Sequence, residues 1–155
     1  NLISKIKDRF NNIVLFIGCF DMFHVGHLIA IEKASMLGHK LIIGLATDEG
    51  IQAYDKLTGK KPNRPIIPYI QRKQILEALP YVWKVIPIHE HFDPSVFDKE
   101  KITIFCVSEG FNRTFPDDHV TRINSAMVRN IKIVEIPRTK GISTTDVINK
   151  IKGEC

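Results

Sequence analysis

Two histidines three residues apart stand where a strand pattern gives way to a helix pattern. His24 and His27 follow the apolar run Ile13–Ile17, and a helical pattern continues from Leu28 to Leu37. At this spacing both rings stack on one face of a first helical turn. A helix start also presents free backbone N–H groups and the positive end of the macrodipole. The arrangement predicts a phosphate site with two imidazoles aimed at it.

The surrounding residues decide between several interpretations of this turn. Gly26 lies between the histidines and leaves room for a ligand to approach the backbone. A zinc site made by Cys19, His24 and His27 competes with the phosphate site, but no fourth ligand of suitable spacing follows. No GxGxxG or Walker-type loop is present, so anion binding rests on the histidines and the helix end. We therefore expect no metal held by protein side chains.

A second strand-to-helix turn lies near the end of the chain. Ile131–Ile136 has the pattern of a buried strand and Asp146–Lys152 that of a helix. Between them, Ser143 or Thr144 is a natural N-cap. Arg138 adds a planar, permanently charged donor fork. The turn is suited to a polyphosphate, although a capped helix preceded by a surface arginine is the simpler alternative.

Both turns resemble motifs of one enzyme family. GCFDMFHVGH, from Gly18 to His27, resembles the GxFDxxHxGH signature of the HxGH nucleotidyltransferase superfamily. RTKGISTT, from Arg138 to Thr145, resembles the RTEGISTT segment of its cytidylyltransferase branch and differs only at Lys140. That branch includes the glycerol-3-phosphate, phosphocholine and phosphoethanolamine cytidylyltransferases. The likeness extends over nearly the whole chain.

The resemblance implies transfer of CMP from CTP to a small phosphorylated alcohol or phosphonate, with release of pyrophosphate. Such a reaction serves phospholipid or cell-envelope precursor synthesis. His24 and His27 would donate to the α- and β-phosphates, Arg138 and the nearby hydroxyls would hold the triphosphate, and Mg²⁺ would bridge its oxygens. Lys56 or Lys61 would correspond to a catalytic lysine that the family has after its second strand. The nucleotide-binding residues implied are Gly18, Cys19, Phe20, His24, Gly26, His27, Lys61, Arg72, Arg138, Thr139, Gly141, Ile142, Ser143, Thr144 and Thr145.

The acceptor is less well defined by the sequence. His89 and His91 follow the third strand, near where relatives bind the acceptor, and Asp21 either contributes there or shapes the turn. The chain departs from the family at residues 80–85, PYVWKV in place of RYVDEV, and at residues 108–113. An adenylyltransferase of the same fold and a non-catalytic nucleotide-binding module therefore remain alternative interpretations.

Composition agrees with one enzyme domain spanning residues 1–155. The 155 residues are 44% hydrophobic, which suffices for a single core, and no apolar run approaches the roughly 20 residues that span a bilayer. We expect a cytoplasmic protein with free thiols. The net charge of +5 is dispersed apart from one cluster, Lys56, Lys60, Lys61 and Arg64, which we expect to lie in a Gly/Pro-bearing loop. A polyanionic small substrate accounts for this charge without nucleic acid. A homodimer is implied only by analogy with small relatives.

The elements needed to position both turns alternate along the chain. Nearly continuous apolar strands between helices indicate an α/β fold, a Rossmann-like doubly wound parallel sheet of about five strands flanked by helices. Ligands of such sheets bind at the carboxyl ends of the strands, where both motifs fall. Predicted strands are Ile13–Ile17, Lys40–Ala46, Val85–Ile88, Ile102–Val107 and Ile131–Ile136; predicted helices are Gly26–Leu37, Ile70–Leu79, Pro94–Lys99, Val120–Val128 and Asp146–Lys152.

Overall fold

A five-stranded, all-parallel sheet forms the centre of the computed structural model, which describes residues 2–59, 63–110 and 117–153. The strand order is β3-β2-β1-β4-β5, so β1 is central and the order reverses direction beside it. This is the predicted doubly wound arrangement. The strands are β1 (Ile13–Gly18), β2 (Lys40–Ala46), β3 (Lys84–Ile88), β4 (Ile104–Ser108) and β5 (Lys132–Ile136).

Helices connect the strands. In the described residues they are α1 (Leu2–Asn11), α2 (Val25–Ser35), α3 (Asp48–Thr58), α4 (Tyr69–Glu77), α5 (Ser95–Lys99), α6 (Asp117–Met127) and α7 (Thr144–Lys152). Within this described part, no helix combines the length and the apolar character needed to cross a membrane.

The apolar runs form strands because the sheet is buried on both faces. In β1, Val14 and Phe16 pack into one hydrophobic cluster, whereas Leu15 packs into a second, and each of the three is at most 2% exposed. Alternate residues of a strand point to opposite faces, so a strand covered on both sides must be apolar throughout. The histidine turn, which follows the carboxyl end of β1, is therefore attached to a rigid support.

A crevice opens where β1 and β4 separate. The β1–β2 ladder continues as far as Gly18 and Leu45, whereas the β1–β4 ladder ends at Phe16 and Cys106. The strand order reverses at this position, and open parallel sheets bind ligands outside their strand ends at such a reversal. The histidine turn follows β1 directly, so its residues lie at the mouth of the crevice.

The structure confirms the five predicted strands and adds two helices that the sequence did not indicate. One is α1, where every residue whose burial the structure describes is exposed, so that no inner face is revealed. The other is α3, which begins after the N-cap Thr47 and contains Gly50, a poor helix former, in its first turn. The prediction that Lys56 lies in a loop was wrong, because Lys56 belongs to the last turn of α3.

Candidate active site

The two histidines form a capping box at the start of α2. His24 is the N-cap residue, and its Nδ1 accepts a hydrogen bond from the N–H of Gly26 at 3.1 Å. In return, Nδ1 of His27 accepts the N–H of His24 at 3.4 Å. The rings stack with their centroids 3.8 Å apart and an angle of 19° between their planes. The box satisfies two N–H groups that a helix start leaves unpaired and fixes both rings.

These hydrogen bonds determine where each ring carries its proton. A ring nitrogen that accepts a backbone N–H has no proton of its own, so each neutral ring is protonated on Nε2. Burial lowers the pKa of His24, and burial together with the neighbouring His24 lowers the pKa of His27 to about 4. Both rings are therefore neutral at pH 7. Each presents an Nε2–H group that can donate to an anion.

Close packing explains the two glycines of this turn. A Cβ on Gly18 would lie 2.8 Å from the Phe20 ring, and one on Gly26 would lie 2.9 Å from Cε1 of His24. Real Cβ contacts are not that short, so a side chain at Gly26 would displace the His24 ring. The space at Gly26 was predicted to admit a ligand; it is filled by His24 and by Ile142, whose Cγ2 would be 3.2 Å from such a Cβ.

Asp21 holds the histidine turn against the segment that precedes α4. Its Oδ1 accepts the N–H groups of Met22 at 3.0 Å and Ile67 at 2.9 Å, and its Oδ2 accepts that of Ile66 at 2.9 Å. The side chain is 1% exposed. The residues on either side, Phe20 and Met22, have φ of 49° and 50°, a conformation that non-glycine residues seldom adopt. These contacts favour the turn-shaping role of Asp21 over an acceptor contact.

Arg72 is also a positioning residue. It is 1% exposed, and its guanidinium donates to the carbonyls of Ile67 at 2.8 Å, Cys19 at 2.7 Å and Ala46 at 2.9 Å. A fourth bond joins it to Oδ1 of Asp48 at 2.7 Å. The side chain therefore ties the carboxyl ends of β1 and β2 to α3 and α4. These contacts favour a packing role for Arg72 over the predicted phosphate contact.

The second turn contacts the first directly. Ser143 is the N-cap of α7, and its Oγ accepts the N–H of Asp146 at 3.1 Å. The hydroxyl of Thr144 donates to the backbone carbonyl of Asp21 at 2.9 Å. Arg138 is exposed, and its backbone N–H donates to Glu109 at 3.0 Å. The start of α7 therefore lies beside the start of α2, as a shared site requires.

Both turns line one cavity of about 440 Å³, a size typical of small-ligand sites. It brings together most of the residues predicted to bind nucleotide. Its walls are formed by Phe16, Ile17, Gly18, Cys19, Phe20, Asp21, His24, Gly26, His27, Ala30, Arg64, Ser108, Ile136, Pro137, Arg138, Thr139, Gly141, Ile142, Ser143, Thr144 and Asp146.

Several predicted residues do not line this cavity. Lys56 is exposed on α3, and Thr145 is exposed on α7. His89 and His91 are exposed beyond β3, the edge strand that β2 separates from β1, so their predicted acceptor contact has no support in this geometry. Lys61 lies outside the described residues.

Arg64 is the cationic wall residue that sequence reasoning missed. It stood in the one dense basic cluster of the chain, which was the available signal, but neither family motif includes it. The thiols of Cys19 and Cys106 are free, and burial raises the pKa of Cys106 to about 12. In the described part of the chain, no three His, Cys, Asp or Glu side chains are grouped to hold a metal ion.

The fold and this cavity define an α/β protein with a small-ligand cavity at the carboxyl ends of its parallel strands, and comparisons with known proteins identify its family. The family model described as cytidylyltransferase-like matches residues 15–150. The chain belongs to this family. Its relatives include nucleotidyltransferases.

Two curated relatives illustrate the range of similarity. The glycerol-3-phosphate cytidylyltransferase of Bacillus spizizenii is 32% identical over 136 residues, which are 86% of this chain and 92% of that protein. The bifunctional protein HldE of Vibrio parahaemolyticus is 28% identical over 97% of this chain. The chain spans only 30% of the length of that HldE.

A solved structure shares the fold. The lipopolysaccharide core biosynthesis protein of Thermoplasma volcanium superposes with a TM-score of 0.65 at 22% identity, over 83% of this chain and 98% of the other. At that identity the match supports the Rossmann-like architecture alone.

Proposed function

We propose that this chain transfers CMP from CTP to a small phosphorylated alcohol or phosphonate and releases pyrophosphate. The observation that carries the proposal is the stacked histidine pair, which lines the same cavity as the amino-terminal end of α7. Two neutral donors and a helix start provide the fixed dipoles that phosphoryl transfer requires. The glycerol-3-phosphate cytidylyltransferase of Bacillus spizizenii, which the chain matches over most of its length, supports the choice of nucleotide and acceptor class.

The reaction needs no covalent enzyme intermediate. An acceptor phosphate oxygen attacks the α-phosphorus in line, the new O–P bond forms, and the bond to the β-phosphate oxygen breaks as pyrophosphate leaves. His24 and His27 donate to the α- and β-phosphate oxygens as negative charge accumulates on them. Arg138, Ser143 and Thr144 hold the leaving pyrophosphate.

Mg²⁺ accompanies the triphosphate in this proposal. The described part of the cavity wall supplies hydroxyls and neutral imidazoles, and one of its two carboxylates, Asp21, already accepts three backbone N–H groups. Such a wall suits a magnesium ion that is held mainly by phosphate oxygens, which neutralises their charge.

A pyrophosphate-release assay tests this function. The protein is incubated with Mg²⁺, either CTP or ATP, and a panel of phosphorylated and phosphonate acceptors. We expect release with CTP and an acceptor together. Release with ATP alone among the triphosphates would indicate an adenylyltransferase, and CTP binding without release from any acceptor would indicate a non-catalytic module. Light scattering of the same preparation tests the homodimer that analogy suggests.

A further inference from the structure

Two arginines near the carboxyl end of β1 differ in how their hydrogen-bond donors are used. Arg72 is 1% exposed and makes four hydrogen bonds to protein oxygens. The side chain of Arg64 is 27% exposed, lines the cavity and makes one long ion pair, from Nη1 to Oδ1 of Asp55 at 3.7 Å. A guanidinium has five N–H donors, and among the described residues those of Arg64 make no hydrogen bond besides this long ion pair.

The partner of Arg64 is itself unusual. Asp55 is 3% exposed, and neither of its carboxylate oxygens accepts a hydrogen bond from any described residue. Burying a carboxylate costs free energy unless a nearby cation pairs with it. Nε of Arg64 is likewise buried without a hydrogen-bond partner in the described part of the chain. Asp55 therefore keeps a cation at the cavity wall without occupying its donor fork.

The two cationic residues of the described cavity wall come from different sides of the fold. Arg64 belongs to the segment after β2 and α3, whereas Arg138 follows β5. In the sheet order, β1 and its histidine turn lie between β2 and β5. An in-line displacement places the attacking phosphate and the leaving pyrophosphate on opposite sides of the α-phosphorus. A cationic group on each side of the histidine turn is therefore suited to the two phosphate groups of one reaction.

We infer that Arg64, held by Asp55, binds the phosphate or phosphonate group of the acceptor. The inference rests on the proposed function, in which Arg138 serves the pyrophosphate side. A planar donor fork with unused N–H groups matches two oxygens of a tetrahedral dianion. Acceptor recognition thus falls to a residue outside both family motifs, instead of to His89 or His91.

Binding of a defined probe to Arg64 variants tests the inference without requiring turnover. The protein is loaded with α,β-methylene CTP, which cannot release pyrophosphate, and glycerol 3-phosphate or inorganic phosphate is titrated by calorimetry. We expect Arg64→Ala to weaken probe binding about 10- to 100-fold, the scale for losing a charged hydrogen-bond donor, and to change the Kd of the nucleotide much less. Lys132→Ala removes an exposed charge remote from the cavity wall and should leave both unchanged.

Arg64→Lys keeps a positive charge opposite Asp55 but loses the planar donor fork of the guanidinium. This variant should fold and should lose less affinity for the probe than Arg64→Ala does. It also carries the test if Arg64→Ala does not fold. Equal probe binding by wild type and by the Arg64 variants would overturn the inference. If binding depends on Arg64 while no acceptor yields pyrophosphate, the phosphate site at Arg64 stands and the proposed function fails. If pyrophosphate is released and probe binding is independent of Arg64, the proposed function stands and the inference about Arg64 fails.

Discussion

The two strand-to-helix turns of the cavity are built to different degrees of rigidity. The turn from Gly18 to His27 is internally bonded: Asp21 is 1% exposed, accepts three backbone N–H groups, and the two histidine rings cap each other's backbone. The turn from Arg138 to Thr144 is more open. Arg138 is exposed, and its guanidinium has no partner among the described residues.

This difference suggests a division of work between the turns. Donors that are already fixed lose little freedom when charge develops on a transferring phosphate, so the first turn is suited to stabilising the transition state. A free arginine side chain is ordered only when a ligand binds, and the cost of this lost rotamer freedom falls on the binding step. The second turn is therefore suited to capturing the triphosphate. If so, damage to the first turn should lower kcat, and damage to the second should raise KM.

The largest effect is expected at the histidines. Replacing His24 or His27 with Ala should lower kcat for pyrophosphate release by about 10² or more, the scale for losing one transition-state donor. KM for CTP should change less. Steady-state kinetics at saturating CTP measures the effect, and denaturant unfolding checks the fold, since loss of the N-cap at His24 costs roughly 1 kcal/mol. Wild-type turnover in both variants would show that the histidines are not at the reacting phosphates.

A smaller effect with the opposite kinetic signature is expected at Arg138. Arg138→Ala should raise KM for CTP about 10-fold and lower kcat less, because a charged hydrogen bond to the triphosphate is lost in ground and transition states alike. Lys140→Ala, in the same turn but outside the cavity wall, is the matched control. A fall in kcat equal to that of the histidine variants would remove the distinction between the turns.

The sequence predicted the residues of the two turns more completely than it predicted those of the acceptor side, and the reason is physical. Glycine, histidine and hydroxyl residues at a helix start have local roles, so their spacing predicts their geometry. The role of Arg64 depends on its approach to Asp55 across a connection between two helices, which no local pattern encodes. Arg72 illustrates the same limit, because burial and four protein partners turned a predicted phosphate ligand into a structural tie.

The smallest effect concerns pH. The pKa of His27 in the folded chain is lowered to about 4 from an ordinary value near 6.5, so the unfolded chain binds more protons between these values. The part of the free energy of unfolding that this pKa difference contributes should be fully present above pH 6.5 and should decrease as the pH falls toward 4. His27→Gln keeps an acceptor for the His24 N–H but does not titrate, so it should lose less stability over this range. Parallel curves for wild type and variant in urea unfolding would show that His27 is not the titrating group.

A crystal structure with α,β-methylene CTP and Mg²⁺ tests the shared site most directly. The account predicts α- and β-phosphate oxygens within hydrogen-bond distance, about 2.7–3.2 Å, of Nε2 on His24 and His27. The terminal phosphates should lie at the start of α7 beside Arg138. Phosphates bound away from the histidines, for example in the cleft between α1 and Tyr81, would contradict it.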